Sequence, residues 1–291
     1  MKISIITPSY NQGQFIERTI QSVNAQRQPD FDLQHVVFDG GSTDNTVAIL
    51  KKHEASLKWV SKKDKGQTDA VNQGIMASDG EIIGWLNSDD IYYPDAVAKA
   101  VKYFNENPEV DVVYGKASHI NENDVEFESY PTEPWDFDRL QFHCIICQPA
   151  LFFRRSVFNR FGTLDETLNY CMDYEYWLRL AKGGAKFAYL EEKLAGSRMY
   201  AENKTLGSRV KVHIEINDMF KAKFGVVPDR WLYNFAHAKT DEKYDKLIQP
   251  KKYTLIVAFI SLWAAISWNK KVTKAMRKMT WDWVRMAYVK R

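Results

Sequence analysis

Short apolar runs alternate with stretches of helical period over the first half of the chain, and each run stops in a polar loop. Ile3 to Ile6, Leu33 to Phe38, Leu57 to Val60 and Glu81 to Ile83 read as buried strands. Between the first two, Phe15, Ile16, Thr19, Ile20 and Val23 recur at helical spacing and predict a helix over residues 13–26. Val47 to Leu50 opens a second helix, and Ala70, Val71, Ile75 and Met76 mark a third. Strand, loop and helix in repetition build a parallel sheet, so the fold class is α/β, Rossmann-like, with a mainly parallel central sheet.

Further on, a helix is expected near Asp95–Asn105, a strand at Val110–Gly115, a strand pair within residues 116–140, and a strand from Cys147 entering a helix at Ser156. Tyr174, Trp177, Leu178 and Ala181 form the apolar face of another helix, with Asp173 at its start, where a capping role is the plain reading. Residues 201–250 read as a helical connecting region in which His213, Ile216, Phe220 and Phe224 are packing positions. Lys251-Lys252 then precede the uncharged run Tyr253 to Trp268, and Lys270-Lys271 follow it. A span needs about 20 apolar residues. This run is shorter and leaves open whether it spans, enters or lies on a membrane. Beyond it, Val272, Met276, Met279, Trp283, Met286 and Ala287 make an apolar stripe among Lys274, Arg277, Lys278 and Arg285, the composition of a helix lying in the headgroup plane.

Charge sharpens the division into residues 1–200, 201–250 and 251–291. The chain of 291 residues carries +3 overall, but residues 251–291 hold ten Lys or Arg against the single acid Asp282, a local net of +9 that leaves −6 for the rest. A basic tail on an acidic body indicates an anionic surface, membrane or nucleic acid. Four of the nine tryptophans lie in the tail, and indole prefers the headgroup boundary, which favours membrane. An uncharged run is also out of place in a nucleic-acid groove. Packing of the tail on the body or on a second copy of the chain is the alternative. Cys144, Cys147 and Cys171 are too few for a zinc site and read as buried free thiols of a reducing compartment. The apolar residues before Thr7-Pro8 are too few for a signal peptide, so a cytoplasmic protein at the inner face of the membrane is expected.

The candidate chemistry is acidic. In open parallel sheets ligands bind at the carboxyl ends of the strands. Asp39 ends the second strand, in Asp39-Gly40-Gly41-Ser42-Thr43-Asp44, and Asp89-Asp90 follow the fourth. Adjacent carboxylates repel unless a cation neutralises them, and Mg²⁺ or Mn²⁺ selects such oxygen ligands. The alternative is that Asp89 or Asp90 caps the helix beginning near Pro94. Gly40-Gly41 matches neither a dinucleotide fingerprint nor a P-loop.

Ile5-Ile6-Thr7-Pro8-Ser9-Tyr10-Asn11, Asp39 to Asp44, Asp64-Lys65-Gly66-Gln67 running to Asn72-Gln73-Gly74, Asn87-Ser88-Asp89-Asp90 and Met172-Asp173 together resemble the family-2 glycosyltransferases in order and spacing. The resemblance covers residues 1–200 and implies a single A-type nucleotide-sugar domain. It implies that Pro8, Tyr10 and Asp39 embrace the donor nucleoside, UDP above other bases, that Asp89 touches the ribose, and that Gly66, Gln67 and Asp69 line the donor site. Asp90 would hold the divalent metal, Mn or Mg, and Asp173 would be the general base of an inverting transfer to a glycan or polyprenyl-linked acceptor. The implied setting is cell-surface polysaccharide or glycolipid synthesis. The chain departs from the pattern at Ser88, in place of the first acid of Asp-x-Asp, and at Arg198-Met199-Tyr200, where many members carry a histidine. A phenol is a poor ligand for these cations, and Arg198 is expected to contact phosphate instead. The rival function is a non-catalytic nucleotide-sugar or carbohydrate-binding module, which retention of both Asp90 and Asp173 opposes.

Overall fold

Strands β1 (Lys2–Ser9), β2 (Asp32–Asp39), β3 (Lys58–Ser61) and β4 (Ile82–Trp85) lie in the order β3-β2-β1-β4 and are all parallel, as the alternating pattern predicts. The computed structural model describes residues 1–201, 203 and 207–289. Helices α1 (Ile16–Asn24), α2 (Thr46–Lys52) and α3 (Gln67–Met76) make the connections. α1 buries Ile16, Thr19, Ile20 and Val23, the residues whose spacing announces it. The register sets Ser9 beside Asp39 and Asp39 beside Ser61, so three strands end level at one sheet edge.

The sheet continues through β5 (Ile91–Tyr92), β6 (Val112–Ile120), β7 (Glu126–Ser129), β8 (Leu151–Arg154) and β9 (Phe187–Arg198). The full order is β3-β2-β1-β4-β8-β6-β9-β5, with β7 paired to β6. β8 runs antiparallel to both β4 and β6, whereas β6 and β9 are parallel. The parallel character therefore resides in the first four strands and in the β6–β9 pair. Helices α4 (Ala96–Glu106), α5 (Phe137–Phe142), α6 (Arg155–Phe161) and α7 (Met172–Lys182) complete this compact unit, Met1–Ala201. Its main core joins Ile3, Ile5 and Ile82 to Ala100, Phe104, Val113, Phe152 and Leu194.

The second unit, Glu202–Arg291, contains α8 (Arg209–Phe224), α9 (Asp229–Asp241), α10 (Pro250–Asn269) and α11 (Lys274–Val289). Ile216 and Phe220 are buried, while His213 and Phe224 are half-buried. Tyr253 and Val257 of α10 pack with Ala236 of α9, and the Tyr253 hydroxyl donates to Asp241 at 2.6 Å. The stripe expected along α11 is divided by packing. Met276 is buried and Trp283 meets Tyr233 and His237 edge-on, while Met279 and Met286 remain exposed. Among the described residues no helix is long and apolar enough to cross a membrane.

Candidate active site

The loops after β1, β2, β3 and β4 are stitched to one another by polar side chains. Asn11, in the left-handed region at φ 51°, accepts from the Thr43 amide at 2.9 Å, and its own amide donates to Ser42 Oγ at 2.7 Å. The Gly13 amide donates to Asp44 at 2.9 Å. Asp39 is buried and organises its own loop. Its Oδ2 accepts from the Gly41 and Ser42 amides and from the Ser61 hydroxyl, and its Oδ1 accepts from the Ser42 hydroxyl. A carboxylate offers roughly four acceptor positions. Oδ2 is fully engaged, so a nucleoside base reaching Asp39 would use the remaining acceptor position on Oδ1. Pro8 is buried in β1 beside Phe38 of β2, and Tyr10, in the loop after β1, is 60% exposed.

Asp64 packs against Gly40 and accepts from the Gly66 amide at 2.8 Å. Burial raises its proton affinity, and the charges of Asp69 and Asp39 add to that. Gly66 sits at φ +118°, a conformation that side chains rarely adopt, which fixes the entry into α3. Asp69 accepts from the Lys65 amide at 3.1 Å, so it closes the loop on itself.

Asp89 and Asp90 do not cap α4. Asp95 holds the capping position, and β5 intervenes. Asp90 is buried, with Oδ1 accepting from the Arg198 amide at 2.9 Å and Oδ2 from Asn87 Nδ2 at 3.2 Å. The half-buried Asp89 accepts at Oδ2 from the Tyr200 hydroxyl at 2.9 Å, and Gln12 Nε2 donates to that hydroxyl at 3.2 Å. Burial raises the proton affinity of Asp89. It raises that of Asp90 well above the ordinary carboxylate value, with the neighbouring Asp89 charge as second cause. Two desolvated, mutually repelling carboxylates suit a hard dication, which needs only one or two of them when substrate phosphates and water complete its shell. No larger cluster of metal-ligating side chains exists among the described residues.

Arg198 does not take the phosphate role expected of it. It is fully buried, donates from Nε to the Asp89 carbonyl at 2.7 Å and from Nη1 to the Asn121 carbonyl at 2.8 Å, pairs with Asp124, and lies over the Phe15 ring. Its guanidinium holds the backbone under the acidic pair instead.

Asp173 occupies the first turn of α7, half-buried, and accepts from the Tyr174 amide at 2.7 Å. Three groups show what surrounds it. The Cys144 thiol is pushed up to about 12 by burial and by Asp173, Tyr130 is raised by burial with Asp173 among its neighbours, and Cys147 feels Asp90 and Asp173 together. Asp90 and Asp173 thus bear on one buried thiol. All three cysteines are free, but Cys144 is half-buried rather than buried as expected.

Asn87 is the residue that sequence reasoning quotes without a role. Its Oδ1 accepts from Gln67 Nε2 at 2.8 Å and from the Trp85 indole at 2.9 Å, while its Nδ2 donates to Asp90 and to Gln148 Oε1 at 2.8 Å. One amide joins the Gly66–Asp69 loop, the acidic pair and the turn before β8. The approach to Asp173 is tied to α3 in the same manner, by Asn72 to both the amide and carbonyl of Leu164 and by Thr68 to the Leu168 carbonyl. Adjacency of Asn87 to the two acids is the only signal the chain offers for it.

The family model for glycosyl transferase family 2 matches residues 4–169, more than half of the chain. The chain belongs to that family. The chondroitin synthase of Escherichia coli is 28% identical over 223 residues, covering 75% of this chain and 32% of the synthase, so the chain spans about a third of that relative. Two solved structures share the fold. TarS residues 1–349 of S. aureus in complex with UDP-GlcNAc matches with a TM-score of 0.64 at 16% identity, covering 99% of this chain and 90% of that one. A Pyrobaculum calidifontis mannosyltransferase in complex with GDP-Man and Mn²⁺ matches with a TM-score of 0.60 at 18% identity, covering 99% and 86%. The A-type α/β fold and the family membership implied by the sequence motifs stand on these matches.

Proposed function

We propose that the protein transfers a sugar, with inversion, from a nucleoside diphosphate donor to a hydroxyl of a glycan or lipid-linked acceptor in cell-surface polysaccharide or glycolipid synthesis. The observation that carries this is the adjacent pair of half-buried Asp89 and buried Asp90, joined through Asn87 to Gln67, whose mutual repulsion a cation relieves, beside a thiol that also feels Asp173. Tyr10, Pro8 and the Asp39 loop receive the nucleoside, and UDP is the favoured donor because a fold relative is seen with UDP-GlcNAc. Asp89 orients the ribose, while Gly66, Gln67 and Asp69 line the donor side. Asp90, with Asp89 beside it, would hold Mn²⁺ or Mg²⁺, whose charge would offset that developing on the departing diphosphate.

Asp173 accepts the proton of the acceptor hydroxyl as its oxygen attacks the anomeric carbon from the face opposite the diphosphate. Asn87 keeps Gln67 and Asp90 in one arrangement while this occurs, which is the positioning that such a displacement needs. The basic segment 251–291 brings the enzyme to an anionic, cytoplasmic membrane surface, where lipid-linked acceptors reside. Incubation with a panel of nucleotide sugars and Mn²⁺ tests the reading: nucleoside diphosphate is released from one donor by the wild type and not by Asp90→Ala. Equal release by both would refute it.

A further inference from the structure

α10 carries its residues in the reverse of the usual order for a helix packed in a water-soluble bundle. Its inward positions are mostly small: Ala258, Ser261, Ala264 and Ala265 are buried, with Val257. Its large apolar side chains point out, with Leu255 42%, Phe259 70%, Trp263 51% and Ile266 57% exposed. These four recur at intervals of four, four and three residues and so form one stripe on the helix. The turn before α10 also exposes Leu247 and Ile248. Contiguous exposed apolar surface of this kind marks a contact face.

Charge decides what meets it. Lys251 and Lys252 stand at one end of the helix and Lys270 and Lys271 at the other, and no Asp or Glu occurs between Asp245 and Asp282. Against a second copy of the chain, two such helices would set lysine pair on lysine pair whether they crossed parallel or antiparallel. Against an anionic bilayer the same lysines reach lipid phosphates while the stripe enters the acyl boundary. The stripe covers about 16 Å of helix at 1.5 Å per residue. That is about half a hydrocarbon thickness, so the helix lies flat.

We propose that the Leu255–Phe259–Trp263–Ile266 face of α10 is a docking surface for an anionic lipid bilayer. The stripe on α11 predicted from sequence is not the principal face, because Met276 is spent inside the unit. The proposal names the face behind the membrane association already proposed, and rests on the transferase reading only for its purpose.

Full-length protein is floated with vesicles of phosphatidylglycerol and, in parallel, of phosphatidylcholine, and tryptophan emission is recorded. The wild type floats with phosphatidylglycerol and its emission shifts to the blue. The double variant Phe259→Ser, Trp263→Ser loses about tenfold or more in apparent partition, since burial of two large apolar groups is removed. Lys270→Glu with Lys271→Glu loses the preference for the anionic lipid. A wild type that stays unbound, or a double variant that floats as well as the wild type, overturns the proposal. So does sedimentation showing a wild-type dimer that the double variant dissolves, which would assign the face to a second copy. Helical circular dichroism and UDP titration on the same samples keep the two readings apart: lost UDP binding counts against the transferase reading, and the vesicle result stands by itself.

Discussion

The acidic mouth of the first unit and the outer face of α10 both hold side chains in the wrong medium, and they do so in opposite senses. Asp89 and Asp90 are ionisable groups held partly or wholly from water, and the surrounding protein spends Tyr200, Asn87 and the Arg198 amide on holding them there. Phe259 and Trp263 are apolar groups kept in water, with smaller residues taking the interior in their place. The first mismatch is local and point-like, which a small cation cures. The second is a stripe, which only a surface cures. On the reading proposed above, the two forms of cost mark where two kinds of partner would attach.

The sharpest break of the comparison is at Asp173. Asp173→Asn is expected to lower kcat by roughly 10²–10⁴-fold, the range for removal of a general base, while UDP titration remains near wild type. Loss of UDP binding in that variant would return Asp173 to a structural role in α7. Next in size is a contrast within the second unit. Met276→Ala empties a buried position and is expected to cost about 2–5 kcal/mol in denaturant unfolding. Phe259→Ala, on the exposed stripe, is expected to stay within about 0.5 kcal/mol. Equal losses would mean that the stripe is part of the packed interior.

Much of the mouth was legible because the sheet pattern puts loop acids at a known edge. Asp39, Asp89 and Asp90 follow apolar runs, so their placement follows from strand direction alone. Asn87 and Tyr200 were not legible. An amide that can donate and accept gives no sign of which neighbours it joins, and a phenol read as a poor metal ligand gives no sign that it binds the Asp89 carboxylate. Arg198 looked like an anion contact because arginine so often is one, but its burial with Asp124 is a long-range outcome of β9 meeting the β6–β7 turn. The direction of β8 carries no local signal either. In the tail, the run Tyr253–Trp268 is apolar on every face, so its pattern could not say which side packs. The burial of Ala258, Ala264 and Ala265 settled that.

Asn87→Ala is the intermediate test. It removes the acceptor of the buried Trp85 indole and the donor to buried Gln148 Oε1, and is expected to cost about 1–3 kcal/mol of stability, the range for an unsatisfied buried polar group. A rise in donor KM larger than the fall in kcat should accompany it. The smallest effect concerns pH. The folded affinity of Asp90 for protons lies above its ordinary carboxylate value, so the folded metal-free protein keeps a proton that the unfolded chain releases. That contribution is fully present below about pH 4 and is lost as pH rises through the folded value. Thermal unfolding of metal-free wild type should therefore fall relative to Asp90→Asn as pH rises from acid to neutral, and Mn²⁺ should narrow the gap. A gap that widens toward acid would reverse the sign and remove the mismatch at the mouth.

Calorimetric titration of UDP, with GDP in parallel, into wild type and Asp90→Ala, each with and without Mn²⁺, puts the central claim to its most direct test. The carboxylate pair predicts binding of one nucleotide that is strong only in wild type with the cation. Binding that is indifferent to Mn²⁺, or equal in Asp90→Ala, would contradict it.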